Sequence, residues 1–253
     1  TPLSDIADEL KDHAYENSSR SNFYLFSGRD RVTNVKRAIE RGATVIVLDD
    51  GFQFRSLSRD VDIVLWDAMS HLFAGNPLLR EPLIGLKRAT CIVMSKANAL
   101  NDDERDSLRR ELEKWAGQDK VVAGFGYEPA GVKLIEGDES LDSENFRSVK
   151  FLLLAGIANP RYFFLTAQRA GFNAVAMVCF PDHHRYSLSE VKLITEIAKA
   201  EKADAVLTTR KDAVKLRELW HKGIPLLVFE VKLRWLWGDE KVCEIVEGSV
   251  PRR

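Results

Sequence analysis

Short apolar runs alternate with amphipathic segments along most of this chain. The runs read TVIVL, VDIVLW, TCIVMS, VKFLLLAG, NAVAMVCF, ADAVLTT and IPLLVFEV in chain order. Continuous apolar runs of this kind are typical of strands buried on both faces of a parallel sheet, and amphipathic segments between them are typical of connecting helices. Because those helices cover both faces of the sheet, the alternation predicts an α/β fold.

A polar, acidic segment divides these elements into two series. We predict a first domain at residues 1–135, a linker at 136–148 and a second, smaller α/β domain at 149–253. In the first domain, Thr1-Pro2 predicts a helix start, NFYLF a short strand, and KVVAGFGY with VKLIE a pair of outgoing strands. From Phe229 onward apolar and charged side chains alternate, which predicts a half-buried strand.

The charge balance excludes broad electrostatic attraction as the basis of function. The 253 residues carry 37 basic and 38 acidic side chains, a formal net charge of -1. We therefore expect no nucleic-acid partner, and any contact with an anionic membrane must be local. No apolar run approaches the roughly 20 residues that a membrane-spanning helix needs.

One apolar run ends in an acidic turn. Val45–Leu48 leads directly into Asp49, Asp50 and Gly51. Paired carboxylates after an apolar strand can hold a magnesium ion on a nucleotide, and the same pattern also fits a turn capped by its aspartates. The sequence contains neither a G-x-x-x-x-G-K-[ST] loop nor a G-x-G-x-x-G motif, so the usual phosphate-binding signatures are absent.

Five motifs in order give the chain a family resemblance. They are LDDGFQFR, LLREPL, LAGIANPRYFF, FPDHHRY and LTTRKDAVKL. Their order and spacing resemble the tetraacyldisaccharide 4'-kinases of lipid A synthesis over nearly the whole chain. The resemblance implies a P-loop NTPase-like α/β/α domain plus a smaller α/β domain. It also implies ATP and Mg²⁺ as cofactors and a tetraacyldisaccharide 1-phosphate as the substrate. Location would be peripheral, at the cytoplasmic face of the bacterial inner membrane.

The resemblance also implies roles for individual residues. Thr1 would bind the nucleotide and the metal, and Asp49 and Asp50 would complete the metal site. Asp30 and His183 would be the catalytic pair that deprotonates the sugar hydroxyl. Without the family, an aspartate between two arginines would be read as a surface ion pair, and the histidine as a feature of a loop.

Arg80 and Glu81 match an Arg-Glu pair near the family's active site. A guanidinium at that position could hold a phosphate, so we predict that both residues bind the nucleotide. A structural salt bridge is an equally good reading. Lys211 and Asp212 are weaker candidates, since the solvated first turn of a helix also explains them.

The chain departs from the family pattern in three ways. Phe54 replaces a histidine beside the acidic turn, the segment before Asp30 is shorter, and the glycines and lysine of the phosphate loop are absent. Without that loop we expect poor ATP binding and a low-activity fragment of a kinase. Two alternatives stay open. One is a non-catalytic relative that binds the lipid or a partner but not ATP, and the other is a P-loop kinase or GTPase with another substrate.

Overall fold

The computed structural model describes residues 24–69, 79–135, 137, 143–220 and 223–250. The predicted helix start at Thr1 lies outside these residues. The strands are β1 (Ile63–Asp67), β2 (Cys91–Ser95), β3 (Val121–Leu134), β4 (Lys150–Ala155), β5 (Asn173–Cys179), β6 (Ala205–Thr209) and β7 (Leu226–Trp237). The helices are α1 (Arg31–Glu40), α2 (Asp102–Ala116), α3 (Pro160–Arg169), α4 (Leu188–Ala200), α5 (Arg210–Leu216) and α6 (Asp239–Ser249). Short 3-10 helices span Leu83–Arg88, Ala97–Ala99 and Ser143–Phe146.

The strands form one mixed sheet in the order β1-β2-β3-β7-β6-β4-β5. Neighbouring strands are parallel except for β3 and β7, which run antiparallel along their length. The α/β class is therefore confirmed. The sheet departs from the parallel pairing that the apolar runs predict where β3 and β7 join the two series through backbone hydrogen bonds. The division into two domains stays a prediction.

Three strand predictions need correction. TVIVL is not a strand, since residues 45–48 form no ladder with any described strand. The described part of NFYLF, residues 24–26, is not a strand either. KVVAGFGY and VKLIE are one strand, β3, which continues through two irregularities at Gly124/Phe125 and Pro129/Gly131. The bulges let one strand bend and keep pairing with β7 where the sequence suggested a break.

The helix starts follow from local chemistry. Asn101 caps α2 and Ser187 caps α4, and each is the first residue of a capping box completed by a glutamate three positions later. Asn159 caps α3, with Pro160 in its first turn. The sequence predicts helices from Asn101, from Asn159-Pro160 and from about Ser187, and these starts are confirmed because a cap is decided by residues within one turn. In the described residues no helix is long and apolar enough to span a membrane.

The register brings the ends of the two strand series face to face. β2 pairs with the beginning of β3, where Met94 lies opposite Gly124, and β6 pairs with the beginning of β7, where Thr209 lies opposite Phe229. Gly124 in turn lies opposite Trp237 at the far end of β7. Since β3 and β7 run in opposite directions, the carboxyl ends of β1 and β2 point toward those of β4, β5 and β6. Between them lies the central part of the β3–β7 pair.

Candidate active site

The acidic turn directly follows segment 45–48. Asp50 has a left-handed backbone, with φ of 50°. Its Oδ2 lies 2.7 Å from Arg80 Nη1, and its carbonyl oxygen accepts a hydrogen bond of 2.9 Å from Arg31 Nη1. The hydrogen bond with Asp50, assisted by the charges of Asp50 and Asp49, raises the pKa of Arg80. Two of the predicted site segments therefore meet here, and the turn is held by two arginines.

Glu81 lies in a separate arginine pair. Its Oε2 is 2.7 Å from Arg88 Nη2, and its Oε1 is 3.7 Å from Arg55 Nη2. The Arg88 guanidinium also lies 4.4 Å from the centre of the Phe52 ring. The geometry of Glu81 is thus that of a salt bridge that fixes the loop behind Arg80, and its role in nucleotide binding stays a prediction.

Phe54, which departs from the family histidine, has a contact of its own. The Arg31 guanidinium carbon lies 5.7 Å from the centre of the Phe54 ring. An aromatic face at this distance favours a cation, so Phe54 supports the arginine that holds the carbonyl of Asp50.

Asp30 is the N-cap of α1. Its Oδ1 accepts a hydrogen bond of 3.0 Å from the Thr33 backbone N–H, and its Oδ2 accepts one of 2.6 Å from the Thr33 hydroxyl. These two bonds, the side-chain one first, lower the pKa of the Asp30 carboxyl. From the sequence we interpreted Asp30 either as a catalytic residue or as part of a surface ion pair, and neither interpretation includes this cap. The signal was available, since Asp followed three residues later by Thr precedes an amphipathic segment.

A groove of about 860 Å³ leads from the acidic turn along β1. Its lining includes Asp49, Asp50 and strand β1 with Asp67. Asp67 ends β1, and its Oδ2 pairs with Lys96 Nζ just after β2. No pattern in the sequence paired Asp67 with Lys96. The same rule that selected the acidic turn, polar residues at the ends of neighbouring strands, could have found it.

A second polar cluster follows the strands of the other series. Asp182 and His183 lie after β5, and Lys211 lies at the start of α5 after β6. Asp182 Oδ1 accepts hydrogen bonds of 2.9 Å from Lys211 Nζ and 3.0 Å from the His183 backbone N–H. Its Oδ2 is 3.5 Å from His183 Nε2. Partial burial opposes ionisation, but the hydrogen bond and charge of Lys211 keep the pKa of Asp182 below its ordinary value.

Asp212, in the first turn of α5, anchors the start of this helix through its buried side chain. The side chain is fully buried, and its Oδ2 accepts hydrogen bonds of 2.9 Å from the Gly156 N–H and 2.8 Å from the Thr209 hydroxyl. The loops after β4 and β6 are thereby joined. Burial, followed by the charge of Asp212, raises the pKa of the neighbouring Tyr186 hydroxyl, which therefore stays neutral. A Cβ on Gly156 would lie 2.7 Å from that hydroxyl, so the loop after β4 requires glycine here.

Side-chain contacts join the two strand series near these clusters. The Tyr162 hydroxyl on α3 donates a 2.7 Å hydrogen bond to Asn98 Oδ1 and accepts a 3.0 Å bond from the Tyr127 N–H. Arg169 Nη1 donates a 2.7 Å bond to the Asn98 carbonyl oxygen. Helix α3 from the second series is therefore fastened to the loop after β2, which fixes the distance between the facing strand ends.

The donor set at the acidic turn fits a hydrated magnesium ion. Mg²⁺ is usually held by one or two carboxylates, with water and phosphate oxygens as its remaining ligands. Asp49 and Asp50 provide two exposed carboxylates, one of them shared with Arg80. Within the described ranges no three His, Cys, Asp or Glu side chains form a group that could hold a metal ion. Thr1, the third predicted ligand, lies outside the described residues.

The structure thus groups the predicted site residues in two clusters. Asp49, Asp50 and Arg80 are together, and Arg31 connects them to the cap residue Asp30 next to it in the chain. His183 belongs to the opposite cluster, with Asp182 and Lys211. The catalytic pairing of Asp30 with His183 stays a prediction. Arg31 was missed because it reaches Asp50 across 19 residues of sequence, which no local pattern reveals.

The described strands and helices define an α/β protein with one mixed sheet and with carboxylates and arginines grouped in the loops around it. A solved structure with this fold is the apo form of LpxK from Aquifex aeolicus in complex with ATP. It is 23% identical, the TM-score is 0.59, and the likeness covers 88% of this chain and 63% of that one. At this identity the likeness shows the fold.

Sequence comparison defines the family. The family model for tetraacyldisaccharide-1-P 4'-kinases, LpxK, matches residues 15–250. Curated tetraacyldisaccharide 4'-kinases from Bdellovibrio bacteriovorus and Koribacter versatilis are 33% and 32% identical over 78% and 87% of this chain. The chain belongs to this family, and the resemblance seen in its motifs is confirmed. It spans 58% and 62% of the length of these two relatives.

Proposed function

We propose that this chain acts in ATP-dependent phosphorylation of the 4'-hydroxyl of a tetraacyldisaccharide 1-phosphate, a step of lipid A synthesis. Support comes from the family and from relatives that carry the name of this kinase. The single observation that carries the proposal is that the carboxyl ends of the two strand series face one another. Phosphoryl transfer needs a nucleotide and an acceptor hydroxyl held in line, and two facing polar clusters can each hold one of them.

The acidic turn is the nucleotide side of this proposal. Asp49 and Asp50 would hold Mg²⁺, with Thr1 as a further ligand by resemblance, and the ion would neutralise charge on the phosphates of ATP. Arg80 would move from the Asp50 carboxylate to a phosphate oxygen, since an exposed guanidinium can exchange one anion for another. Glu81 would keep its pairing with Arg88 and so hold the loop that carries Arg80.

The loop after β5 is the acceptor side. An imidazole is the side chain whose ordinary pKa best suits proton transfer near neutral pH, so we assign His183 to take the proton from the sugar hydroxyl. The negative charge of Asp30 would assist His183 in this proton transfer. The Thr33 hydrogen bonds lower the pKa of Asp30, which keeps it an anion but makes it a weak base. An anion of this kind stabilises the imidazolium that forms on His183.

A lipid substrate implies contact with a membrane. We propose peripheral contact with the cytoplasmic face of the inner membrane, through the part of the surface that receives the disaccharide. A flotation assay with vesicles that contain the tetraacyldisaccharide 1-phosphate tests this. Equal flotation with vesicles that lack the lipid would contradict substrate-directed contact.

The decisive experiment measures ATP binding and phosphate transfer separately. Mg·ATP affinity is measured by calorimetry and transfer by radiolabelled phosphate, for the 253-residue chain and its Asp50→Asn and His183→Ala variants. We expect weak binding and slow transfer, because the sequence has no Gly-Lys phosphate loop. Asp50→Asn should weaken Mg·ATP binding further, whereas His183→Ala should slow transfer and leave binding unchanged. Asp106→Asn, on the exposed face of α2, is the matched control for loss of one carboxylate.

The second candidate function is that of a non-catalytic relative that binds the lipid or a partner protein. The shorter segment before Asp30 favours it, and so does the engagement of Asp50 by Arg80. Binding of the disaccharide lipid without any detectable Mg·ATP binding would establish this candidate and overturn the kinase proposal for the chain.

A further inference from the structure

The turn that carries His183 is contacted twice by the carboxylate of the preceding residue. His183 has φ of 61°, in the left-handed region that residues other than glycine rarely adopt. Its backbone N–H donates to Asp182 Oδ1 at 3.0 Å, and its ring nitrogen Nε2 lies 3.5 Å from Asp182 Oδ2. The two oxygens of Asp182 therefore contact both the backbone and the ring of the histidine. Whatever fixes Asp182 also fixes His183.

Lys211 reaches the same carboxylate from a different element. Its Nζ lies 2.9 Å from Asp182 Oδ1 across 29 residues of sequence. The start of α5 is itself rigid, because the next residue, Asp212, is fully buried and bonds Gly156 and Thr209. Lys211 thus connects the anchored start of α5 to the loop after β5, in which His183 has a left-handed backbone.

The ion pair between Lys211 and Asp182 contributes little to the free energy of unfolding, so its main effect must be a different one. The side chains of Lys211 and Asp182 are 37% and 33% exposed, and pairs this exposed add little to the free energy of unfolding. The pair holds one end of an otherwise local turn in a single arrangement. That is what a side chain needs when its orientation, rather than its burial, decides the chemistry.

We propose that Lys211 is a positioning residue that acts on His183 through Asp182, selecting one tautomer and one orientation of the ring. Asp182 facing Nε2 favours the tautomer that carries its hydrogen on that nitrogen. The catalytic use of the held ring rests on the proposed function. The tautomer itself can be measured without any kinase activity.

The test is nuclear magnetic resonance of the histidine ring nitrogens in the full 253-residue chain. Long-range ¹H–¹⁵N spectra report the tautomer of each ring, and the spectrum of His183→Ala assigns the resonances of His183. At a pH where the ring is neutral, the unaltered chain should show one dominant His183 tautomer. Lys211→Met and Asp182→Asn should each give a mixture, while Lys211→Arg, which keeps the cation, should retain the original pattern.

Two controls separate positioning from general disturbance. Arg217→Met removes a positive charge from the exposed end of the same helix and should leave His183 unchanged. The ring of His184 lies 3.0 Å from Glu190 and stacks on Phe180, so its signals should not respond to Lys211→Met. An unchanged His183 tautomer in Lys211→Met overturns the proposal, as does an equal change in Arg217→Met.

Transfer measurements then distinguish this inference from the proposed function. If the chain transfers phosphate, Lys211→Met should lower kcat about tenfold to a hundredfold with little change in KM, and Lys211→Arg should restore most of it. A chain that transfers nothing contradicts the proposed function, and the tautomer spectra still decide the role of Lys211.

Discussion

Segment 45–48 and strand β4 are both apolar in sequence but lie in opposite environments. Val47 is 89% exposed and Val45 52%, whereas Leu152, Leu153 and Leu154 are all completely buried. β4 has a paired strand on each side, β5 and β6, and segment 45–48 has none among the described strands. An apolar run therefore specifies a strand only when neighbours supply the hydrogen bonds and the covering side chains.

The largest expected effect tests that contrast directly. Leu154→Ala removes a fully buried side chain from the core and should lower the free energy of unfolding by about 2 to 5 kcal/mol. Val47→Ala removes an exposed one and should change it by less than about 0.5 kcal/mol. Urea unfolding followed by circular dichroism measures both. A loss at Val47 comparable to that at Leu154 would show that segment 45–48 is covered in solution.

An intermediate effect is expected where β3 and β7 join the two series. A Cβ on Gly124 would lie 2.2 Å from the Trp237 ring, so Gly124→Ala should cost about 1 to 3 kcal/mol through displacement of that ring. Gly248, near the end of α6, has no atom within 4 Å of the corresponding Cβ position. Gly248→Ala should stabilise by about 0.5 to 1 kcal/mol. Thermal unfolding of both variants sharpens the comparison, and equal shifts would contradict close packing at the join.

The smallest effect concerns pH and the exposed cap of α1. The Thr33 hydrogen bonds lower the folded-state pKa of Asp30, so its contribution is complete above the unfolded pKa and is lost as pH falls through the folded one. Asp30→Asn keeps a good cap without the charge, so it should reduce the loss of stability between roughly pH 5 and pH 2. Unfolding by urea at several pH values measures this slope. The cap role is refuted if the slope is the same in both proteins.

The parts of the fold that the sequence predicted correctly are those decided by neighbours in the chain. Asn101, Asn159 and Ser187 mark helix starts because a cap needs only the next three residues. β4 and β6 were predicted from their continuous apolar runs. The prediction is correct because each of these strands is paired on both sides in the sheet. The break proposed within β3 was wrong because bulges allow a strand to continue, and the bulged residues look like a turn in the sequence.

The candidate site shows the same division. Asp49 and Asp50 were predicted from a strand-end pattern, and Arg80 from a motif. The ion pair between Asp50 and Arg80 follows from neither pattern. Arg31 and Lys211 were not predicted as partners of Asp50 and Asp182, since both contacts cross more than 15 residues of sequence. Contacts of that kind depend on how the loops are placed by the sheet.

The sequence by itself determined the α/β class, the family and the helix starts at Asn101, Asn159 and Ser187. Each of these depends on local periodicity or on short motifs. Only the tertiary structure decided that the strands form one sheet and that the carboxyl ends of its two series face one another. The reason is physical. Strand order and register are set by hydrogen bonds between distant segments, and the antiparallel pairing of β3 with β7 reverses the direction of one half relative to the other.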